Sequence, residues 1–152
     1  MSGCWRQPPL WGVDGWVNPR ASMTWLVRSA MCALYPRTAT LPGLEDCGVD
    51  DFLERFQRES PLLMWVGVLA GALVFHLTPL FTVFVPLPAF LLPASLLDRH
   101  ASRIAGSDWY LVRQAIFLVK FPCGLCWGAH PEVRKRLALS AYPDDPGTWR
   151  AR

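Results

Sequence analysis

Residues 60–97 read SPLLMWVGVLAGALVFHLTPLFTVFVPLPAFLLPASLL and contain no Asp, Glu, Lys or Arg. His76 is the single ionisable group in this run. An uncharged apolar stretch longer than about 18 residues is the signature of a membrane-embedded segment. Residues 62–77 carry no proline and read as one helix, apolar on all sides. Such a helix suits lipid or the interior of a larger assembly. Pro79, Pro86, Pro88 and Pro93 then interrupt the run. Each removes a backbone donor and crowds the preceding turn, and the carbonyl it frees needs another partner. Two membrane arrangements follow: a single span over residues 62–85 kinked at Pro79, or a re-entrant hairpin turning near Pro86 and Pro88. A buried helix in a water-soluble complex is the plainer alternative.

Two features inside the run invite a functional reading. Gly67 and Gly71 form a small-xxx-small pair with Ala70 beside them, a face on which another helix can approach closely. Glycine is also simply frequent in membrane helices. Ionisable groups within a membrane segment are functional candidates. His76, however, has no carboxylate or second histidine near it in sequence, so a neutral, hydrogen-bonded core histidine is expected.

Composition agrees with an oily, small protein. Of 152 residues, 52% are hydrophobic and 18% charged, with 14 prolines and 8 tryptophans. Tryptophans at segment ends suit membrane interfaces or partner contacts. The net charge of +3 is mild. No basic face studded with aromatics is present, which argues against nucleic acid as a partner. Five cysteines cannot all pair within the chain, and buried reduced thiols are the expectation. The first 22 residues lack a basic start followed by an apolar run, so no cleavable signal peptide is expected.

Residues 1–22, rich in Gly, Pro and Trp, read as an irregular tail, with Met23 a possible true start. Residues 23–152 read as a single helical domain that includes the apolar segment 60–97. A helix capped by Ser22 or Thr24 runs to Pro36. A Pro/Gly linker leads to a second helix in which Val49, Phe52, Leu53 and Phe56 fall at i, i+3, i+4 and i+7, one amphipathic face. Asp50 and Asp51 suit its first turn, and Glu54 with Arg58 adds an i,i+4 pair. Residues 98–108 read as a polar connector, and Asp98-Arg99-His100 as a solvated triplet. Ser107 or Asp108 caps a helix over residues 109–121 whose Arg113 and Lys120 can snorkel at a membrane interface. Pro122 is expected to end or kink it. Pro131 opens a last short helix over residues 132–139. Tyr142 and Trp149 are candidate anchors of the tail.

Cys123-Gly-Leu-Cys126 has the spacing of a metal-ligating or redox dithiol, with His130 four residues on. The second pair of a zinc site is missing. Trp127 stands where covalent haem attachment needs His. Cys123, Cys126 and His130 are therefore weak metal candidates, and structural thiols are the expectation. No Gly-rich phosphate loop, GxSxG or HExxH is present, and no nucleophile, base and orienter can be named.

Two stretches resemble a known family. Ala33-Leu34-Tyr35-Pro36, Leu41-Pro42-Gly43 and Gly48-Val49-Asp50-Asp51-Phe52-Leu53 resemble the opening of the gluconate dehydrogenase small-subunit family. Leu118-Val119-Lys120 through Trp127, His130-Pro131 and Val133 resembles its closing pattern. Order and spacing agree over about half the chain, at its two ends. Members of that family carry an export signal and a less apolar middle, so this chain resembles a membrane-held variant. The resemblance implies a large flavoprotein partner of the glucose-methanol-choline oxidoreductase type. That partner holds FAD and does the chemistry, and the small subunit carries no cofactor and no catalytic residue.

The expected fold is mostly α: a small helical domain with a central proline-interrupted apolar segment, membrane-embedded or re-entrant. The expected function is a non-catalytic, membrane-associated accessory subunit of a flavin-dependent alcohol, sugar or sterol dehydrogenase, located in a bacterial inner membrane. Val49, Phe52, Leu53, Phe56, Trp109, Lys120 and Trp127 are the expected partner contacts, and Gly67 and Gly71 the expected helix-packing pair. The alternatives are a thiol-redox or metal protein using the CxxC pair, and a structural protein that self-associates through the glycines.

Overall fold

A computed structural model of the chain describes residues 19–139. They are mostly helical, with no strand among the described residues. The helices are α1 (Pro19–Leu34), α2 (Val49–Glu59), α3 (Leu62–Leu77), α4 (Pro79–Thr82), α5 (Ala94–Ala105), α6 (Tyr110–Ala129) and α7 (Pro131–Arg136). Short 3-10 turns lie at Leu44–Cys47 and Ala89–Leu91. The expected irregular tail is partly outside the described residues. Its last four residues open α1, which therefore starts earlier than the Ser22 or Thr24 cap. Tyr142 and Trp149 also lie outside them.

α1 is the spine, in contact with α2, α3, α5 and α6. Val27, Ala30 and Met31 are buried on its inner side. They meet Leu53 of α2, Val68, Ala72 and Phe75 of α3, and Ile116, Val119 and Cys123 of α6 in one core. Gly48 precedes α2 with φ of 68°, a left-handed conformation that only glycine adopts without strain. Arg28 of α1 reaches Asp50 at 2.7 Å, which ties α2 to the spine.

The proline-interrupted run does not form one continuous helix. α3 stops at Leu77, Thr78 leaves helical geometry (φ −91°, ψ 1°), and Pro79 begins α4. The expected span over residues 62–85 is therefore broken into two helices. Among the described residues, no helix is long and apolar enough to cross a membrane.

Three further expectations are corrected. The polar connector is helix α5, because Leu97, His100, Ala101 and Ile104 recur at helical spacing and bury one side of it. Pro122 neither ends nor limits α6, which runs on to Ala129. A proline inside a helix costs about 3 kcal/mol. Burial of Ile116 and Val119 before it and of Cys123 and Cys126 after it offsets that cost. The last helix is shorter than expected and ends at Arg136.

Candidate functional site

The CxxC pair sits on the last turns of α6. Cys123 is fully buried, and its thiol donates to the Val119 carbonyl at 3.1 Å. Burial pushes its pKa far above the ordinary thiol value. Burial also pushes Cys126 up to about 11, helped by nearby Cys47. Thiolate is the nucleophile and the metal ligand, so both groups are held in their inert form at neutral pH. Cys47, Cys123 and Cys126 form no disulfide. Among the described residues, no three His, Cys, Asp or Glu side chains converge as a metal site, and His130 instead precedes α7 as its N-cap residue.

The expected partner contacts separate into three groups. Val49 and Leu53 are buried in this chain's own core, so a partner does not reach them in this fold. Their burial is the ordinary fate of an amphipathic helix face. Phe52 and Phe56 stack on each other with ring centroids 5.8 Å apart and remain half-buried at the core's edge. Trp127 is also internal: its indole N–H donates to the Pro42 carbonyl at 2.9 Å, and its ring lies against Tyr35. That contact pins the Pro36–Gly43 linker to α6. Trp109, by contrast, is 78% exposed, and Lys120 is half-buried.

The glycine pair accepts a helix of the same chain. A Cβ at Gly71 would overlap the Ala115 carbonyl oxygen and come 2.7 Å from Val119 Cγ2, and one at Gly67 would come 3.2 Å from Leu118 Cδ1. As numbers rise along α3 they fall along α6, so the two helices pack antiparallel. The close approach expected of another helix is thus made within the monomer.

This packing exposes an apolar face. On α3, Leu62, Leu63, Val66, Leu73 and Leu77 are exposed. At about 100° per residue they share one arc, turned away from Val68, Ala72 and Phe75. On α6, Phe117, Phe121 and Leu125 are exposed and recur at i, i+4 and i+8, turned away from Ile116, Val119 and Cys123. Both helices turn their buried sides to α1, so the two arcs lie on one side of the pair. The antiparallel register also brings exposed Trp109, Tyr110 and Leu111 to the end where α3 gives way to α4, whose Leu80 and Phe81 are exposed as well. Arg113 and Lys120 border the α6 arc. Uniform hydrophobicity hid this face in the sequence, because a run apolar on every side does not say which side is covered.

Two histidines lock the break at Pro79. His76 Nε2 lies 3.0 Å from the Leu26 carbonyl and 3.0 Å from Ser29 Oγ. His100, fully buried on α5, bonds the Phe75 carbonyl through Nε2 and the Thr82 hydroxyl through Nδ1. Arg103, one turn on, donates to the Thr82 carbonyl. Burial lowers the pKa of both histidines, a backbone hydrogen bond partly opposing it in each case, so both are neutral. His76 is the core histidine expected. His100 was missed as a solvated residue, although its spacing with Leu97 and Ile104 could have marked it as inward-facing.

Comparison with protein-family models, with curated proteins and with solved structures finds no match.

Proposed function

We propose that this chain is a non-catalytic accessory subunit that lies on a membrane and supports a flavin-dependent alcohol, sugar or sterol dehydrogenase. The observation that carries the membrane part is the exposed apolar face of α3 and α6. An apolar patch of this kind on a small monomer marks an interaction site. α3 has 16 residues and α6 has 20, about 24 and 30 Å long at 1.5 Å per residue. A face of that length suits helices lying in the plane of a bilayer. Arg113 and Lys120 at its border suit anionic headgroups, and Trp109 and Tyr110 suit the interfacial layer. Phe84, exposed and in a left-handed conformation with φ of 58°, adds a further apolar side chain after α4.

The flavoprotein partner rests on the resemblance at the two ends of the chain, and FAD belongs to that partner. The Phe52–Phe56 edge of α2 is one expected partner contact that this fold leaves partly open. The alternatives have less support: burial holds the CxxC thiols protonated, and the glycine pair is already occupied by α6.

A pull-down of the tagged full chain from its host in mild detergent tests the reading. A stoichiometric yellow partner with flavin absorbance is the expected result. A colourless preparation holding this chain alone would overturn the flavoprotein assignment, and failure to float with anionic vesicles would overturn the membrane assignment.

A further inference from the structure

After α3 the uncharged run is interrupted at Pro79 and again at Pro86. Pro79 has no N–H to give the Phe75 carbonyl four residues earlier, and Pro86 has none to give the Thr82 carbonyl. Both carbonyls are capped from α5. His100 bonds the Phe75 carbonyl, and Arg103, one turn later, donates to the Thr82 carbonyl. The hydroxyls of Thr78 and Thr82 are bonded to the Val74 and Thr78 carbonyls.

The side chains left outside are hydrocarbon. Leu80, Phe81, Phe84, Leu87 and Leu91 are exposed, Phe81 and Phe84 the most of these at 75% and 79%. Prolines at 79, 86, 88 and 93 also remove backbone donors from this segment.

This combination selects among occupants. A protein partner makes about one hydrogen bond per 100–200 Å² of interface, and these side chains offer no group to make one. A bilayer sets the opposite demand, that backbone polar groups be satisfied within the protein, as the Phe75 and Thr82 carbonyls are. Arg103 stands at the base of the segment, held to the Thr82 carbonyl, with exposed Arg99 on the same helix. Exposed Asp98 and Asp108 temper that charge, so apolar burial is the main force available at this end.

We propose that residues 79–91 form a tip that penetrates a lipid bilayer, with Phe81 and Phe84 seated below the headgroups and α5 bracing the polar backbone behind them. The tip presupposes the membrane reading above and identifies the segment that enters.

Phe84 offers a variant that spares the fold. Its φ of 58° lies where a bulky residue is strained and glycine is not, so Phe84→Gly removes the ring and relieves the backbone together. Phe81→Ala removes the second ring from an exposed position of α4.

The test uses the full chain and vesicles of phosphatidylcholine with phosphatidylglycerol. Phe84, or Phe117 on the α6 arc, is replaced by 4-cyanophenylalanine, whose nitrile infrared band differs between water and hydrocarbon. On vesicle binding both bands should move to the hydrocarbon position. Phe81→Ala with Phe84→Gly should melt no lower than the unsubstituted chain and lower the vesicle partition coefficient at least about tenfold. A full chain that does not float with the vesicles overturns the membrane reading itself. Flotation with the Phe117 band shifted and the Phe84 band still at its aqueous position overturns the tip alone, as does unchanged partition of the folded double variant.

Discussion

His100 Nε2 lies 2.8 Å from the carbonyl oxygen of Phe75, the acceptor four residues before Pro79 that the proline leaves without its helical donor. A proline in an apolar run frees a carbonyl, and a histidine from α5, 25 residues on, supplies the missing N–H. The break between α3 and α4 is thereby satisfied inside the protein. Loss of the donor should be costly. His100→Leu is expected to lower stability by about 2 kcal/mol in denaturant unfolding. Adding Pro79→Ala, which restores a backbone N–H, should recover part of that loss. No recovery in the double variant would show that the Phe75 carbonyl is not what His100 serves.

Acid should destabilise the fold from neutral pH downward. Both His76 and His100 have pKa values lowered in the folded state by burial. Above about pH 6.5, the ordinary histidine value, both folded and unfolded chains are neutral at these positions and nothing is lost. As pH falls below it, the unfolded chain takes up protons that the folded chain refuses, so stability falls. The loss is about 1.4 kcal/mol per histidine for each unit of depression. Denaturation midpoints measured from pH 8 to pH 5 check this. A flat profile would contradict the neutral, buried state of both rings.

The two glycines of α3 should respond differently. Gly71→Ala places a Cβ on the Ala115 carbonyl oxygen, a backbone atom, and should cost about 1–3 kcal/mol through overpacking. Gly67→Ala meets only the end of the flexible Leu118 side chain and gains up to about 1 kcal/mol of helix propensity. It should be close to neutral. Thermal unfolding of the two variants separates them. Equal effects would contradict the α3–α6 packing.

Thiol labelling should report structure. Cys123, buried with its pKa far above the ordinary thiol value, should resist an aromatic disulfide reagent at pH 8 in the native chain and react once the chain is unfolded. Fast native labelling at Cys123, followed by mass spectrometry, would restore a redox role to the pair.

The α3–α6 face can be tested without disturbing the core. Val66 and Leu73 are 49% and 41% exposed, so Val66→Asp with Leu73→Asp should leave the melting temperature nearly unchanged. The same pair should abolish flotation with anionic vesicles. Retained flotation would place the membrane contact elsewhere.

The sequence by itself determined the local elements. Gly48 before an amphipathic repeat, Pro131 at a helix start and Pro36 after α1 are short-range signals, and each lies at the boundary it implies. It also determined that residues 60–97 avoid charge. Tertiary structure decided which parts of that run face inward. A helix apolar on all sides has no periodicity to orient it, so packing of Gly71 on Ala115 and Val119 chose its covered side. It decided likewise that Val49 and Leu53 serve the core, that Pro122 is tolerated, and that His76 reaches α1 and His100 reaches α3 across 50 and 25 residues of chain. Backbone preference acts over a few residues, whereas burial and the pairing of freed carbonyls are settled between residues that only the folded chain brings together.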